Sequence, residues 1–305
     1  MADAPASNGF PVIDMLHFPA QLPELIKACE ENGCFRIVNF DSILPVSLLY
    51  EMKAVVTELF ELPLEIKQRN VDVIVGSGYK KPGEINSIHE GLGLYDIASS
   101  RSVDEFCNQL DATPRQRETI ERYAKAVHDL ITDIGHKIGE GLGLESVPFE
   151  AWPCQFRINK YPFTHDAIGS AGLKTHTDNG FLTIVQDDEI LSGLEVMEKS
   201  GKFVAVDPCP GALLVTIGDI AVAWSNGRFY NVKHQVVCKE AGIRMSIATF
   251  LLGPRETMVE APPELMDSEH PRLFVPFKFE DFRKTRFFKH SHAGEALDLF
   301  RRLAF

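Results

Sequence analysis

Between Gln155 and Leu251 the chain breaks into short β-prone runs separated by turn residues, a pattern that an antiparallel sandwich or jelly roll satisfies and a helical fold does not. The expected strands are Gln155–Tyr161, Leu173–His176, Leu182–Gln186, Leu194–Met197, Phe203–Asp207, Leu213–Ile217, Val222–Ser225, Tyr230–Val237 and Met245–Leu251. Asn226-Gly227, between two of them, has the chemistry of a hairpin turn. The fold class is therefore mainly β, a double-sheet barrel with helices behind it.

Two separated runs in this region carry a recognisable set of ligand types. His176-Thr177-Asp178 is followed by His234 and, ten residues on, by Arg244-Met245-Ser246. On an extended segment alternate side chains share a side, so His176 and Asp178 reach one metal ion while Thr177 faces away. A third ligand from a distant strand, His234, completes the set only if the sheet curls back on itself. Two imidazoles and one carboxylate cover one face of an octahedral metal and leave three positions open, which suits a non-haem Fe(II) oxygenase. His-x-Asp alone is a weak signal in a chain with ten histidines; the Arg-x-Ser at a fixed offset sharpens it.

Three open positions exceed what a hydrolytic site needs. An α-keto diacid takes two and leaves one for O2, and its far carboxylate then requires a cation some distance from the metal. Arg244 supplies a planar bidentate fork, and Ser246 shares its strand face. Asn159 and Tyr161 share a face on another strand, where the Tyr161 phenol can complete a carboxylate pocket.

A formal charge of −12, from 31 basic and 43 acidic residues, argues against nucleic acid or an anionic membrane as partner. Six cysteines are scattered without a Cys-x-x-Cys pair, and the first twenty residues lack a basic leader and a long apolar run. A cytoplasmic protein with reduced thiols is expected.

The N-terminal third reads as helices around short strands. Phe10–Asp14 and Cys34–Asn39 are strand-like, with an amphipathic helix between them ending at Gly33. A second helix is expected over Pro45–Glu61, a long loop with short strands over Gly76–Ser102, and a long helix from Pro114, capped by Thr113, to about Gly143. His128 and His136 on that helix read as ordinary packed or surface histidines. Gly294 to Leu303 reads as a closing helix.

The segments RINKYPF (157–163), HTDNGFLTIVQDDE (176–189), SNGRFYNVKHQV (225–236) and RMSIATFLLGP (244–254) resemble the core of the plant soluble 2-oxoglutarate- and Fe(II)-dependent dioxygenases. FPVID and CFRIVN extend the likeness to the N-terminal region. The resemblance implies a distorted double-stranded β-helix (jelly roll) backed by helices. It implies one dioxygenase domain over 1–305, with a helix-rich region at 1–150, the catalytic core at 151–260 and a helical segment at 261–305. By match, His176, Asp178 and His234 would hold Fe(II), while Arg244, Ser246, Tyr161 and Asn159 would hold 2-oxoglutarate.

LFELPLEIKQRN, GSGYKKPGEIN, EGLGLYDIASS, FCNQLDATPRQRE and APPELMDSEHPRL are similar to the plant auxin dioxygenases within that family. The implied reaction takes indole-3-acetic acid to 2-oxindole-3-acetic acid, consuming O2 and 2-oxoglutarate and releasing succinate and CO2, with ascorbate as reductant. The chain departs from the family's frequent Asn-His-Gly and Asn-Tyr-Tyr-Pro-Pro at Asn39-Phe40-Asp41 and Asn159-Lys160-Tyr161-Pro162-Phe163, outside the iron ligands. A gibberellin oxidase, another small-molecule hydroxylase or a non-catalytic cupin-like binding protein are the alternatives. A zinc hydrolase is disfavoured because no general base stands beside the triad.

An aromatic acid needs an apolar slot with one cationic or hydrogen-bonding end. Tyr79, Lys80 and Lys81 on the Gly-rich loop, Arg157, Lys174 and Phe250 are the candidates for it. Either a monomer or a homodimer is compatible with the sequence.

Overall fold

The structure, a computed structural model, describes residues 9–83 and 88–302. Strand β1 (Val12–Asp14), helix α1 (Leu22–Glu31), strand β2 (Cys34–Val38) and helices α2 (Val46–Phe60) and α3 (Leu64–Lys67) open the chain. Strand β3 (Glu90–Tyr95) and helices α4 (Ser100–Gln109) and α5 (Pro114–Gly141) follow. The barrel strands are β4 (Cys154–Phe163), β5 (Ala171–His176), β6 (Leu182–Gln186), β7 (Leu194–Met197), β8 (Phe203–Ala205) and β9 (Leu213–Ile217). Helix α6 (Asp219–Trp224), strands β10 (His234–Val237) and β11 (Gly242–Leu251), and helices α7 (Phe279–Phe288) and α8 (Glu295–Asp298) complete it.

The strands form a seven-stranded sheet, β1-β2-β9-β6-β11-β4-β3, and a four-stranded sheet, β5-β10-β7-β8. These are the two walls of the jelly roll. The larger sheet is backed by α5, which also contacts α1, α2 and α4. Its buried stripe is the one its period predicts: Ile120, Tyr123, Ala124, Val127, Leu130, Ile131, Ile134 and Ile138 all lie in the main core. Thr113 and Gln116 close a capping box at its start, with Thr113 N–H donating to Gln116 Oε1 at 2.8 Å.

Several expectations need correction. Val222–Ser225 is the end of α6 rather than a strand, because Gly218, Asp219 and Ile220 N–H groups bond to Phe181, Asp178 and Gly180 carbonyls and set a helical turn. Every residue of α6 is buried, so the run has no amphipathic period to separate helix from strand. Asn226-Gly227 has positive φ at both residues, as a hairpin turn would, but terminates this helix instead. Asn226 Oδ1 accepts from Leu273 N–H at 2.8 Å, fastening the turn to the C-terminal region.

Within the expected loop 76–102, of which 84–87 lie outside the described residues, β3 pairs with β4 and Ser99 caps α4. The closing helix is only Glu295–Asp298, after which Arg301 bridges to Phe274; Leu303 is outside the described residues. Helix α7 was not foreseen, and only Phe279, Phe282 and Arg286 on it are buried. The strand expected from Tyr230 begins at His234.

Gly33 joins α1 to β2 with φ +67° and its α-carbon so close to the next layer that an added Cβ would stand 2.2 Å from the Tyr230 carbonyl oxygen. Gly33→Ala should lower the unfolding free energy by about 2–4 kcal/mol, combining left-handed strain with overpacking against backbone. Urea titration reads this directly, and a loss below about 1 kcal/mol would mean the two segments separate easily.

Candidate metal and carboxylate site

His176 ends β5, His234 begins β10, and the two are direct partners across the antiparallel ladder. Their ring centroids are 4.2 Å apart. Asp178 follows beyond the strand end, with its Oδ1 3.9 Å from His176 Nε2 and 3.6 Å from His234 Nε2. All ligand atoms of the three lie within 4.8 Å of one another, and no other such group of His, Cys, Asp or Glu occurs among the described residues.

The surrounding bonds fix which atoms face the shared point. His176 Nδ1 is 2.8 Å from the Lys174 carbonyl and His234 Nδ1 is 3.2 Å from the Val232 carbonyl. Each ring therefore donates Nδ1–H to backbone and turns the Nε2 lone pair inward, the tautomer a metal ligand needs. Asp178 Oδ2 accepts hydroxyl bonds from Thr183 at 2.6 Å and Thr216 at 2.9 Å, which leaves Oδ1 for the centre. The sequence reading missed both threonines, since Thr in a strand has no distinguishing signal.

Burial, and next the neighbouring His234 ring, push the His176 imidazole well below its ordinary value, so it is neutral at pH 7. Burial would raise the Asp178 carboxyl, but His234 and His176, with the two threonine hydroxyls, outweigh it and hold the group below the usual range. Both groups bind protons more weakly when folded than when unfolded. Metal-free protein should therefore hold full stability above about pH 6.5, the unfolded imidazole value. It should lose up to about 1.4 kcal/mol per pH unit per group as pH falls below that point, His176 first and Asp178 under more acid conditions. Urea midpoints at pH 7.5 and 5.5 test this; equal midpoints would count against a neutral His176.

The carboxylate end sits on the other sheet. In the β4–β11 ladder Arg244 faces Tyr161 and Ser246 faces Asn159, so all four side chains project to one side. Arg244 is 1% exposed. Its Nη2 donates to Asp187, yet its Nε and Nη1 find no hydrogen-bond partner among the described residues. Buried guanidinium N–H groups left unsatisfied are costly, and an arriving carboxylate is the acceptor type that satisfies them. The guanidinium lies 5.2 Å from the Tyr161 ring centroid. Burial pushes the Tyr161 phenol up to about 12, so it remains a donor at neutral pH.

A cavity of about 270 Å³ joins the two ends. The expected residues His176, Asp178, His234, Arg244, Ser246, Tyr161 and Asn159 all line it, as do Lys80, Arg157 and Phe250. Tyr79 and Lys174 do not. The Tyr79 hydroxyl donates to Glu90 Oε1 at 2.7 Å, a carboxylate that also accepts from Lys67 Nζ at 2.6 Å. Lys174 is displaced by a bulge: two steps on β10, from His234 to Val236, match three on β5, from His176 to Leu173. Leu173 and His176 thus both face the cavity while the Lys174 side chain is exposed. Lys81 is exposed too.

Arg157 Nη1 donates to the Gly76 and Gly78 carbonyls at 3.0 and 2.6 Å, drawing that loop over the cavity. His89, which the sequence reading passed over, lines the cavity with Nε2 3.1 Å from Asn159 Oδ1.

Comparison with known proteins agrees with this geometry. Residues 152–253 match the 2OG-Fe(II) oxygenase superfamily, and residues 10–120 match the N-terminal region described as non-haem dioxygenase in morphine synthesis. The chain is similar to the 2-oxoglutarate-dependent dioxygenase DAO of Oryza sativa subsp. indica, with 50% identity over 88% of this chain and 90% of the relative. The crystal structure of the rice dioxygenase for auxin oxidation superposes with a TM-score of 0.88 at 46% identity, covering 96% of this chain and all (100%) of that one. Dioxygenase for auxin oxidation 1 from Arabidopsis thaliana, in complex with 2-oxoglutarate, superposes with a TM-score of 0.83 at 49% identity, covering 86% and 100%. A facial His-Asp-His group, an opposing buried arginine and this extent of shared sequence lead to one conclusion: the chain belongs to the 2OG-Fe(II) oxygenase superfamily and is a 2-oxoglutarate-dependent dioxygenase.

Proposed function

We propose that this dioxygenase inactivates auxin, oxidising indole-3-acetic acid to 2-oxindole-3-acetic acid with release of succinate and CO2. The observation that carries the chemistry is the single cavity in which the His176, Asp178 and His234 ligand atoms and the unsatisfied Arg244 N–H groups face one another. The substrate assignment is supported by the likeness to the rice and Arabidopsis proteins named for auxin oxidation.

In this reading His176, Asp178 and His234 hold Fe(II). Thr183 and Thr216 keep Asp178 Oδ2 occupied, so that a single oxygen is presented to the metal. Arg244, the Ser246 hydroxyl and the Tyr161 phenol grip the far carboxylate of 2-oxoglutarate, and Asn159, held by His89, shapes the same wall. When bound, Fe(II) and 2-oxoglutarate supply the activation of dioxygen, with ascorbate proposed as the reductant that maintains Fe(II).

Leu173, Val185, Leu194, Val236 and Phe250 give the cavity apolar walls that suit an indole ring and exclude water. Lys80 and Arg157 place positive charge beside it for the acetate. At about 270 Å³ the space lies just below the roughly 300–1,000 Å³ usual for ligand sites, which favours a small acid over a bulky terpenoid. We further propose a cytoplasmic location, supported by six cysteines that are all free. Among the described residues no helix is long and apolar enough to cross a membrane.

The deciding experiment incubates anaerobically reconstituted protein with Fe(II), 2-oxoglutarate and ascorbate, then admits O2 with indole-3-acetic acid, a gibberellin or a flavonoid. Succinate formed in step with an oxindole product, identified by mass spectrometry, is the expected result. Coupled succinate with a gibberellin and none with indole-3-acetic acid would transfer the assignment to the other hormone class.

A further inference from the structure

The residue between the two ligands of the His-Thr-Asp triplet is strapped from outside the cavity. Thr177 is 1% exposed, and its N–H donates to the His292 carbonyl at 2.9 Å. Its hydroxyl accepts from Arg286 Nη1 at 3.0 Å, and its carbonyl accepts from Arg286 Nη2. The same guanidinium reaches the His292 carbonyl at 2.7 Å and the Asp219 carboxylate. Asp219, 0% exposed, opens α6, donates its own N–H to the Asp178 carbonyl at 2.8 Å and accepts from Asn231 Nδ2 at 2.6 Å on its other oxygen.

A closed circuit results: Arg286 to Thr177, along the chain to Asp178, across to Asp219 and back to Arg286. We propose that Arg286, with Asp219 as its counter-ion, is a positioning residue that fixes the backbone at Thr177 and hence the relative aim of the His176 and Asp178 side chains at the metal. The inference rests on the assignment of those two residues and His234 as ligands. Its physical basis is the shape of the guanidinium: one planar group serves four acceptors from three chain segments, whereas an ammonium offers three donors from a single point. Helix α7 thereby reaches the ligand turn through Arg286, and through Arg283, whose Nη2 donates to the Val75 carbonyl at 2.9 Å, it also reaches the loop beside Gly76 at the cavity.

The test titrates metal-free full-length protein with Co(II), a spectroscopic probe that requires no turnover. Arg286→Lys keeps the charge opposite Asp219 but loses the fork. It should bind Co(II) about 10- to 100-fold more weakly, the range that follows loss of an outer partner of a metal ligand, and should show an altered ligand-field spectrum. Thr177→Val, which loses only the hydroxyl, should show a smaller weakening in the same direction. Lys67→Met, which breaks the distant buried pair with Glu90, should lower the melting temperature and leave Co(II) affinity unchanged.

A folded Arg286→Lys protein with a Co(II) dissociation constant within about twofold of the parent overturns the proposal. Should Arg286→Lys fail to fold, unchanged affinity in Thr177→Val overturns it instead. Retention of full Co(II) affinity by His234→Ala is a separate result, and it defeats the ligand assignment rather than the role of Arg286.

Discussion

Replacing Arg244 with Met is expected to raise the 2-oxoglutarate concentration needed for half-maximal turnover by roughly 30- to 1,000-fold, with a smaller effect on turnover at saturation. Truncating one partner of a buried, hydrogen-bonded charge pair costs about 2–4 kcal/mol, and each 1.4 kcal/mol is tenfold in affinity. The side chain is 1% exposed, and two of its N–H groups have no other partner among the described residues, so water cannot substitute for the lost contact.

Asp187 makes the substitution tolerable to the fold. Burial already holds this carboxyl above its usual range against the opposing pull of Arg244, so in the variant it can take up a proton rather than remain as an unpaired buried anion. Its folded pKa rises further, and the variant should regain stability relative to the parent as pH falls through that value. Arg244→Lys should fall between the two, since it keeps the charge without the bidentate fork. A half-saturation concentration for Arg244→Met within about threefold of the parent would show that the diacid is gripped elsewhere.

His234→Ala should lower metal affinity by more than about 100-fold and turnover by at least about a thousandfold, because a missing ligand costs more than the 10–100-fold typical of a missing outer partner. Isothermal titration with Fe(II) under anaerobic conditions, followed by a succinate assay at saturating metal, separates the two losses. The variant should also lose less stability in acid than the parent. The His234 ring is, after burial, the main reason the His176 imidazole resists protonation, and removing it lets that pKa rise toward its ordinary value. Undiminished Fe(II) binding with normal succinate yield would sink the assignment.

The parts of this site that were readable in the sequence are those whose chemistry is rare. Two histidines and an aspartate at alternating and distant positions, with an Arg-x-Ser beyond, have few structural explanations, and all of them line one cavity. Thr183 and Thr216 were not readable, because a buried strand threonine looks the same whether or not it serves a carboxylate. Lys174 was misjudged for a local reason: simple alternation places it beside His176, and a bulge in β5 breaks that alternation. Asn226-Gly227 carried the right backbone chemistry, positive φ at both residues, for a turn that ends a helix instead of joining two strands. Helix α6 lacked any period because all of its faces are buried, and its identity comes from tertiary bonds to the ligand turn.

The β4–β11 ladder runs from Cys154–Leu251 to Phe163–Gly242 in unbroken register. Odd-numbered residues of β4 (Arg157, Asn159, Tyr161) look into the cavity, and the even-numbered Cys154, Phe156 and Ile158 belong to the core beneath the helices. A one-codon deletion or insertion near the middle of this strand would exchange the two faces downstream, turning Asn159 and Tyr161 away from the cosubstrate and toward the helical layer. Length variation here is consequently an all-or-none trait: over evolutionary time this strand can accept substitutions but not slippage, while the surface loops around it remain free to drift in size.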